Sequence, residues 1–106
     1  LRNANGIVVA SVAAGLRLDN DDCIADARVA IGAVASIPRF VESAVAALIG
    51  QPAGAGAFDA AADAAMRAAE PISDIRGSAE FRRELVPVLT RRALEKACHR
   101  ARENKP

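Results

Sequence analysis

Aromatic residues are nearly missing from this chain: three phenylalanines, no tryptophan and no tyrosine make up 3% of it, although 52% is hydrophobic. A core built from alanine and branched aliphatics brings elements close together, and a large side chain readily upsets it. Cysteine is scarce as well. Cys23 and Cys98 are too few for a disulfide scaffold and show no CxxC or metal spacing. They read as small buried apolar residues of a reducing, cytoplasmic compartment. The longest apolar run, near Ile7–Leu16, is interrupted by Ser11 and Gly15 and is too short to span a bilayer, so no membrane insertion is expected. Neither sign of charge prevails. Fourteen basic and 13 acidic residues leave a net charge of +1, which makes no electrostatic case for nucleic acid. The single histidine, His99, has no second His and no Cys at ligand spacing and reads as a surface or capping residue; no metal or catalytic site is expected. With 106 residues the chain is one domain, 1–106, that buries roughly two thirds of its unfolded surface.

What is present is alternation, then helical periodicity. Residues Leu1–Gly6 are rich in turn formers. From Ile7 to Leu18 the even positions Val8, Ala10, Val12, Ala14, Leu16 and Leu18 are all apolar, while Ser11, Gly15 and Arg17 occupy odd ones. From Cys23 to Val34 the odd positions are apolar, and Asp26 and Arg28 mark the other face. Both segments have the period of two that marks a strand with one core face. Asp19-Asn20-Asp21-Asp22 reads as the turn between them. A hairpin over about 7–18 and 23–34 then sets Leu18 opposite Cys23, Leu16 opposite Ala25, Val12 opposite Val29 and Val8 opposite Ala33. A slip by one residue would drive Asp26 and Arg28 into the core. The second face carries Ser11, Ala13, Gly15, Ala30 and Gly32, small enough for a neighbour to approach closely. A third strand is left open, from Leu1–Gly6, from upstream or from a neighbour.

Three helices are expected after the hairpin. The first, about 38–49, starts at Pro38 and buries Val41, Ala44, Val45 and Leu48 at i, i+3, i+4 and i+7. Gly50 and Pro52 end it, and Gln51–Gly56 reads as a linker. The second, about 58–70, has Phe58, Ala61, Ala62, Ala65, Met66 and Ala69 inward, with Asp59, Asp63, Arg67 and Glu70 outward. The third, about 78–102, turns Phe81, Leu85, Val88, Leu89, Leu94, Ala97, Cys98 and Ala101 inward. Pro87 removes a backbone donor inside it and predicts a kink. Acidic residues cluster early at Asp19, Asp21, Asp22 and Asp26, while Arg91–Lys105 is basic. That tail reads as a solvated, dipole-matched helix end, with a docking surface for an acidic partner as the other reading.

The least repetitive stretch is Pro71-Ile72-Ser73-Asp74-Ile75-Arg76-Gly77-Ser78-Ala79-Glu80-Phe81-Arg82-Arg83. Pro71 stops one helix and Ser78 caps the next, with Glu80 where the helix dipole favours an anion. Asp74 and Arg76 suit backbone capping and mutual pairing, and Gly77 a positive φ. Together with Ala25–Ala35 and Leu89-Thr90-Arg91-Arg92-Ala93-Leu94, this stretch resembles the C-terminal domain of the FAD-binding medium subunit of molybdenum hydroxylases, the carbon monoxide dehydrogenase and xanthine dehydrogenase group. The resemblance covers nearly the whole chain. It implies an α+β fold, a small antiparallel sheet packed against a three-helix bundle, in agreement with the periodicities. It also implies that two upstream domains, outside these residues, hold most of the FAD, while this domain closes over the flavin region and helps dock the subunit.

The same resemblance implies partners: a molybdopterin-binding large subunit and an iron–sulfur small subunit, with electrons passing from molybdenum through the clusters to FAD. The chain has no cysteine set for a cluster of its own. It implies one flavin-proximal residue, Ile7, in a segment where Gly6 replaces the family's usual Asp. Ser73, Asp74, Arg76, Gly77 and Ser78 are then motif residues with a structural or interface role. The isolated domain is expected to be inactive and to hold no cofactor. The other reading is a stand-alone α+β interaction or dimerisation domain, using the small-residue face or a strand edge, with no flavin role.

Overall fold

The computed structural model describes residues 9–33, 39–69 and 78–103. Strands β1 (Val9–Leu18), β2 (Ile24–Ala33) and β3 (Arg39–Phe40) form one antiparallel sheet in the order β1-β2-β3. Helices α1 (Glu42–Leu48), α2 (Ala55–Ala69) and α3 (Ser78–Glu103) follow. α3 lies against β1, α1 against β2, and α2 packs on both α1 and α3. The architecture is the predicted α+β sheet and three-helix arrangement.

The hairpin faces are as the alternation predicted, but its register is two residues off. Leu16 pairs with Ala27 and Val12 with Ile31, rather than with Ala25 and Val29. Near the turn Leu18 pairs with Ile24, which leaves Ala25 as an extra residue on β2. A slip of two leaves every side chain on its own face, so alternation alone does not separate the two registers. The turn decides between them. The Asp19 carboxylate accepts hydrogen bonds from the amides of Asp21 (2.9 Å) and Cys23 (3.0 Å), and the Asp19 amide donates to the Cys23 carbonyl at 2.9 Å. Asp22 closes the turn with φ 64°, a conformation that Asp tolerates better than most residues. The turn therefore takes up Asp19–Cys23, and the bulge at Ala25 turns Ile24, not Cys23, into the core, where it is 1% exposed.

The bulge also frees the start of β2 to pair on its other side. The Ile24 amide donates to the Gln51 carbonyl (2.9 Å), Gly50 donates to Ile24 (2.8 Å), and Ala53 donates to Asp22 (3.0 Å). Residues 50–53, expected as a linker, are thus a short edge on the sheet, reached through a positive φ of 82° at Gly50. Further along, β2 pairs with β3 through Ala30 with Phe40 and Ile31 with Arg39. Arg39 and Phe40 were expected in the first turn of a helix. The chain stays extended there because β2 offers a free edge, and the Val41 amide still donates to Val29 at 2.8 Å. The helix consequently begins at Glu42 rather than at residue 38. α2 starts at Ala55, three residues earlier than predicted.

One core joins the layers. Ile24, Val29 and Ile31 from β2 meet Val41, Ala44 and Leu48, and Phe58, Ala61 and Ala65 of α2 complete it from behind with Val86, Leu94 and Cys98 of α3. The largest fully buried side chains are aliphatic, and α2 meets its neighbours through a run of alanines. Two inward residues of α3 escaped the sequence reading: Val86 and Thr90, both 0% exposed. Val88 and Leu89, predicted inward, are only half-buried. Burial runs Val86, Thr90, Leu94, Ala97, one helical face followed at steps of three and four.

Candidate functional site

The helices cover one face of the sheet, and among the described residues none covers the other. Register places Ser11 opposite Gly32, Ala13 opposite Ala30, Gly15 opposite Arg28 and Arg17 opposite Asp26 on this open face. Ser11, Ala13, Gly15 and Arg17 are exposed, and Ala30 and Gly32 are half-buried. Beside Ala30 stands Phe40, 67% exposed, the most exposed large hydrophobic side chain described. The face is therefore flat and small-residued in its middle, with an aromatic ring on one flank and the charges of Arg17, Asp26 and Arg28 at one end. Gly32 has a steric reason: a Cβ there would sit 2.8 Å from the Ser11 hydroxyl.

At the turn end of the sheet the acidic cluster meets the basic helix. Arg102 donates to both carboxylate oxygens of Asp22, at 2.6 and 3.2 Å, and approaches the Ala53 carbonyl at 3.5 Å. That hydrogen bond to Asp22 is the main cause that raises the Arg102 guanidinium pKa, so the group stays charged. Cys98, one turn back on α3, is buried, and burial pushes its thiol up; Arg102 pulls it down and Asp22 pushes it up again. Arg67 pairs with Asp63 one turn away on α2, Arg91 of α3 reaches Asp59 of α2 at 3.7 Å, and His99 lies 3.1 Å from Glu103 one turn on. His99 is thus the exposed surface residue expected. Cys98 is buried as expected, whereas Cys23 is only half-buried.

Of the residues singled out from sequence, Ile7, Ser73, Asp74, Arg76 and Gly77 lie outside the described residues, and Ser78 is the first residue of α3. The Asp22–Arg102 pair was missed, although both charge clusters had been noted; a separation of 80 residues carries no spacing signal. Among the described residues no group of three or more His, Cys, Asp and Glu is placed to hold a metal ion, and no helix is long and apolar enough to cross a membrane. At the start of α2 a Cβ on Gly54 or Gly56 would meet nothing within 4 Å, and Arg102, which reaches the adjoining loop, pairs with Asp22. What the described surface offers is a flat face and a strand edge for contact with another body.

Comparison with known proteins gives that surface its setting. The chain is 33% identical over 101 residues to the carbon monoxide dehydrogenase medium chain of Afipia carboxidovorans, covering 95% of this chain and 35% of the relative. Its fold superposes on carbon monoxide dehydrogenase of Hydrogenophaga pseudoflava with a TM-score of 0.71 and 29% identity, over 90% of this chain and 37% of that one. Quinoline 2-oxidoreductase of Pseudomonas putida 86 gives a TM-score of 0.72 at 28% identity, over 90% of this chain and 36% of that one. The chain thus spans little more than a third of the length of each of these relatives. Residues 1–97 match the CO dehydrogenase flavoprotein C-terminal domain, and the chain belongs to that family.

Proposed function

We propose that this domain works as the closing and docking unit of a FAD-binding subunit in a molybdopterin-dependent oxidoreductase, similar to carbon monoxide dehydrogenase. The observation that carries this reading is the open sheet face, whose small side chains at Ser11, Ala13 and Gly15 leave room for a neighbouring body to approach the backbone. Bound to the whole subunit, FAD would supply electron transfer. The part of the described residues is to cover, to exclude water and to position. On this reading Ile7 contributes an apolar contact near the flavin, and the Ser73–Ser78 turn serves as a cap or interface element. The large molybdopterin subunit and the small iron–sulfur subunit are the partners of the complex, and the domain alone is inactive.

The test is the visible spectrum of the protein purified from its full reading frame, set beside that of these 106 residues alone. A flavin spectrum on the first and none on the second is the expected result. In the full protein, Ala13→Arg with Ala30→Arg should weaken flavin retention while far-UV circular dichroism is unchanged. A flavin-free full protein that runs as a clean dimer would replace this reading with a dimerisation domain.

A further inference from the structure

We infer that the outer edge of β1, together with the adjoining basic row of α3, is a docking groove for an acidic segment of a partner protein in extended conformation. In the order β1-β2-β3, β1 has a strand on one side only, and among the described residues nothing pairs with its other edge. Along this ten-residue strand every second residue turns its amide and carbonyl to the outer edge, and these unpaired groups form a template for strand addition. Natural edges of this length are blunted by charges or proline; β1 has no proline, and Arg17 is its single charge.

Charge names the occupant. Val12, Ala13 and Ala14 of β1 form one wall of a groove whose other wall includes Arg92, Lys96 and Arg100 of α3. These three cations are exposed and stand at i, i+4 and i+8, so they form one row. The other cations near them are occupied: Arg91 by Asp59 and Arg102 by Asp22. Among the described residues Arg92, Lys96 and Arg100 form no ion pair, although Glu95 is their chain neighbour. Successive members of the row are about 6 Å apart along the helix, and alternate side chains of an extended chain are about 6.7 Å apart. An acidic residue at every second position would therefore meet one cation each while its backbone pairs with β1. A second copy of this chain fits less well. Two β1 edges paired about a twofold axis would bring two rows of like charge together.

The experiment measures fluorescence anisotropy of a labelled ten-residue peptide of alternating Glu and Thr on the full protein. Three exposed pairs, each worth roughly a factor of two, predict about tenfold weaker binding for the Gln–Thr peptide and for Arg92→Gln/Lys96→Gln/Arg100→Gln. N-methylation of alternate peptide amides on one edge should abolish binding, and on the other edge should leave it unchanged. A Gln–Thr peptide that binds equally well, or indifference to N-methylation on both edges, overturns the proposal. So does tighter binding of a single-stranded oligonucleotide lost in the same variant, which marks a polyanion site without strand addition. Lys96→Gln alone, a single exposed change, keeps the test valid should the triple variant fail to fold.

Discussion

Arg102 grips the Asp22 carboxylate through two nitrogens, at 2.6 and 3.2 Å, and so fastens the end of the last helix to the hairpin turn. The side chains of Arg102 and Asp22 are 49% and 41% exposed, so the pair contributes to local order more than to global stability. Arg102→Gln should let the final turn of α3 fray. Hydrogen exchange of the Cys98–Arg102 amides, and of Ala53 beside them, should speed up, and added salt should reproduce part of the effect in the unaltered protein. Asp22→Asn in the Arg102→Gln background should add little for these amides; a full second increment would mean that the two residues act separately.

Thr90 is 0% exposed, and its hydroxyl has no hydrogen-bond partner among the described residues. A buried hydroxyl without a partner costs free energy, and valine has nearly its shape. Thr90→Val should therefore stabilise the domain by about 1 kcal/mol, seen as a higher denaturant midpoint with an unchanged slope. A lower midpoint would show that the hydroxyl is satisfied in solution.

Burial raises the Cys98 thiol pKa in the folded protein. The sign follows: the unfolded chain loses this proton first, near pH 8.5, and the folded one later. Stability from this group is intact below that pH and declines as pH rises toward the folded value. Cys98→Ala removes the titration, so the stability gap between native protein and variant should narrow from pH 8 upward. A constant gap would refute the shift. A thiol reagent should meanwhile label half-buried Cys23 before Cys98.

Gly50 holds a φ of 82°, and a Cβ there would meet nothing within 4 Å. The cost of Gly50→Ala is then backbone strain alone, about 1–2 kcal/mol, with Gly50→Asn milder. Gly15 also has open space around it, but no positive φ. Gly15→Ala should be neutral or slightly stabilising. Equal losses at the two positions in a urea melt would contradict this assignment.

Much of this was legible in the sequence because it rests on short-range pattern. Alternation fixed which faces of β1 and β2 are buried, and the apolar stripe of Phe58, Ala61, Ala62 and Ala65 fixed the inner face of α2. The register was not legible, because a shift of two preserves every face and only the Asp19 side chain resolves it. β3 was hidden for a related reason. Arg39 and Phe40 follow a proline that favours a helix start, and only the vacant edge of β2 makes them extended. The candidate surface was half visible: its small residues were named from sequence, but Phe40 beside them and the free cations beside β1 depend on contacts distant along the chain.

The helix that packs on β1, α3, is made after the hairpin, α1 and α2. Hairpin, α1 and α2 leave the ribosome first, and they can fasten β2 on both sides through local bonds. The inner side of β1, with Val12, Ala14 and Leu16, stays bare until residues near 100 have emerged. For several seconds at ordinary rates of synthesis, the nascent chain carries this apolar strip without its α3 cover. How long that strip is exposed therefore depends on how quickly α3 follows α2 out of the ribosome.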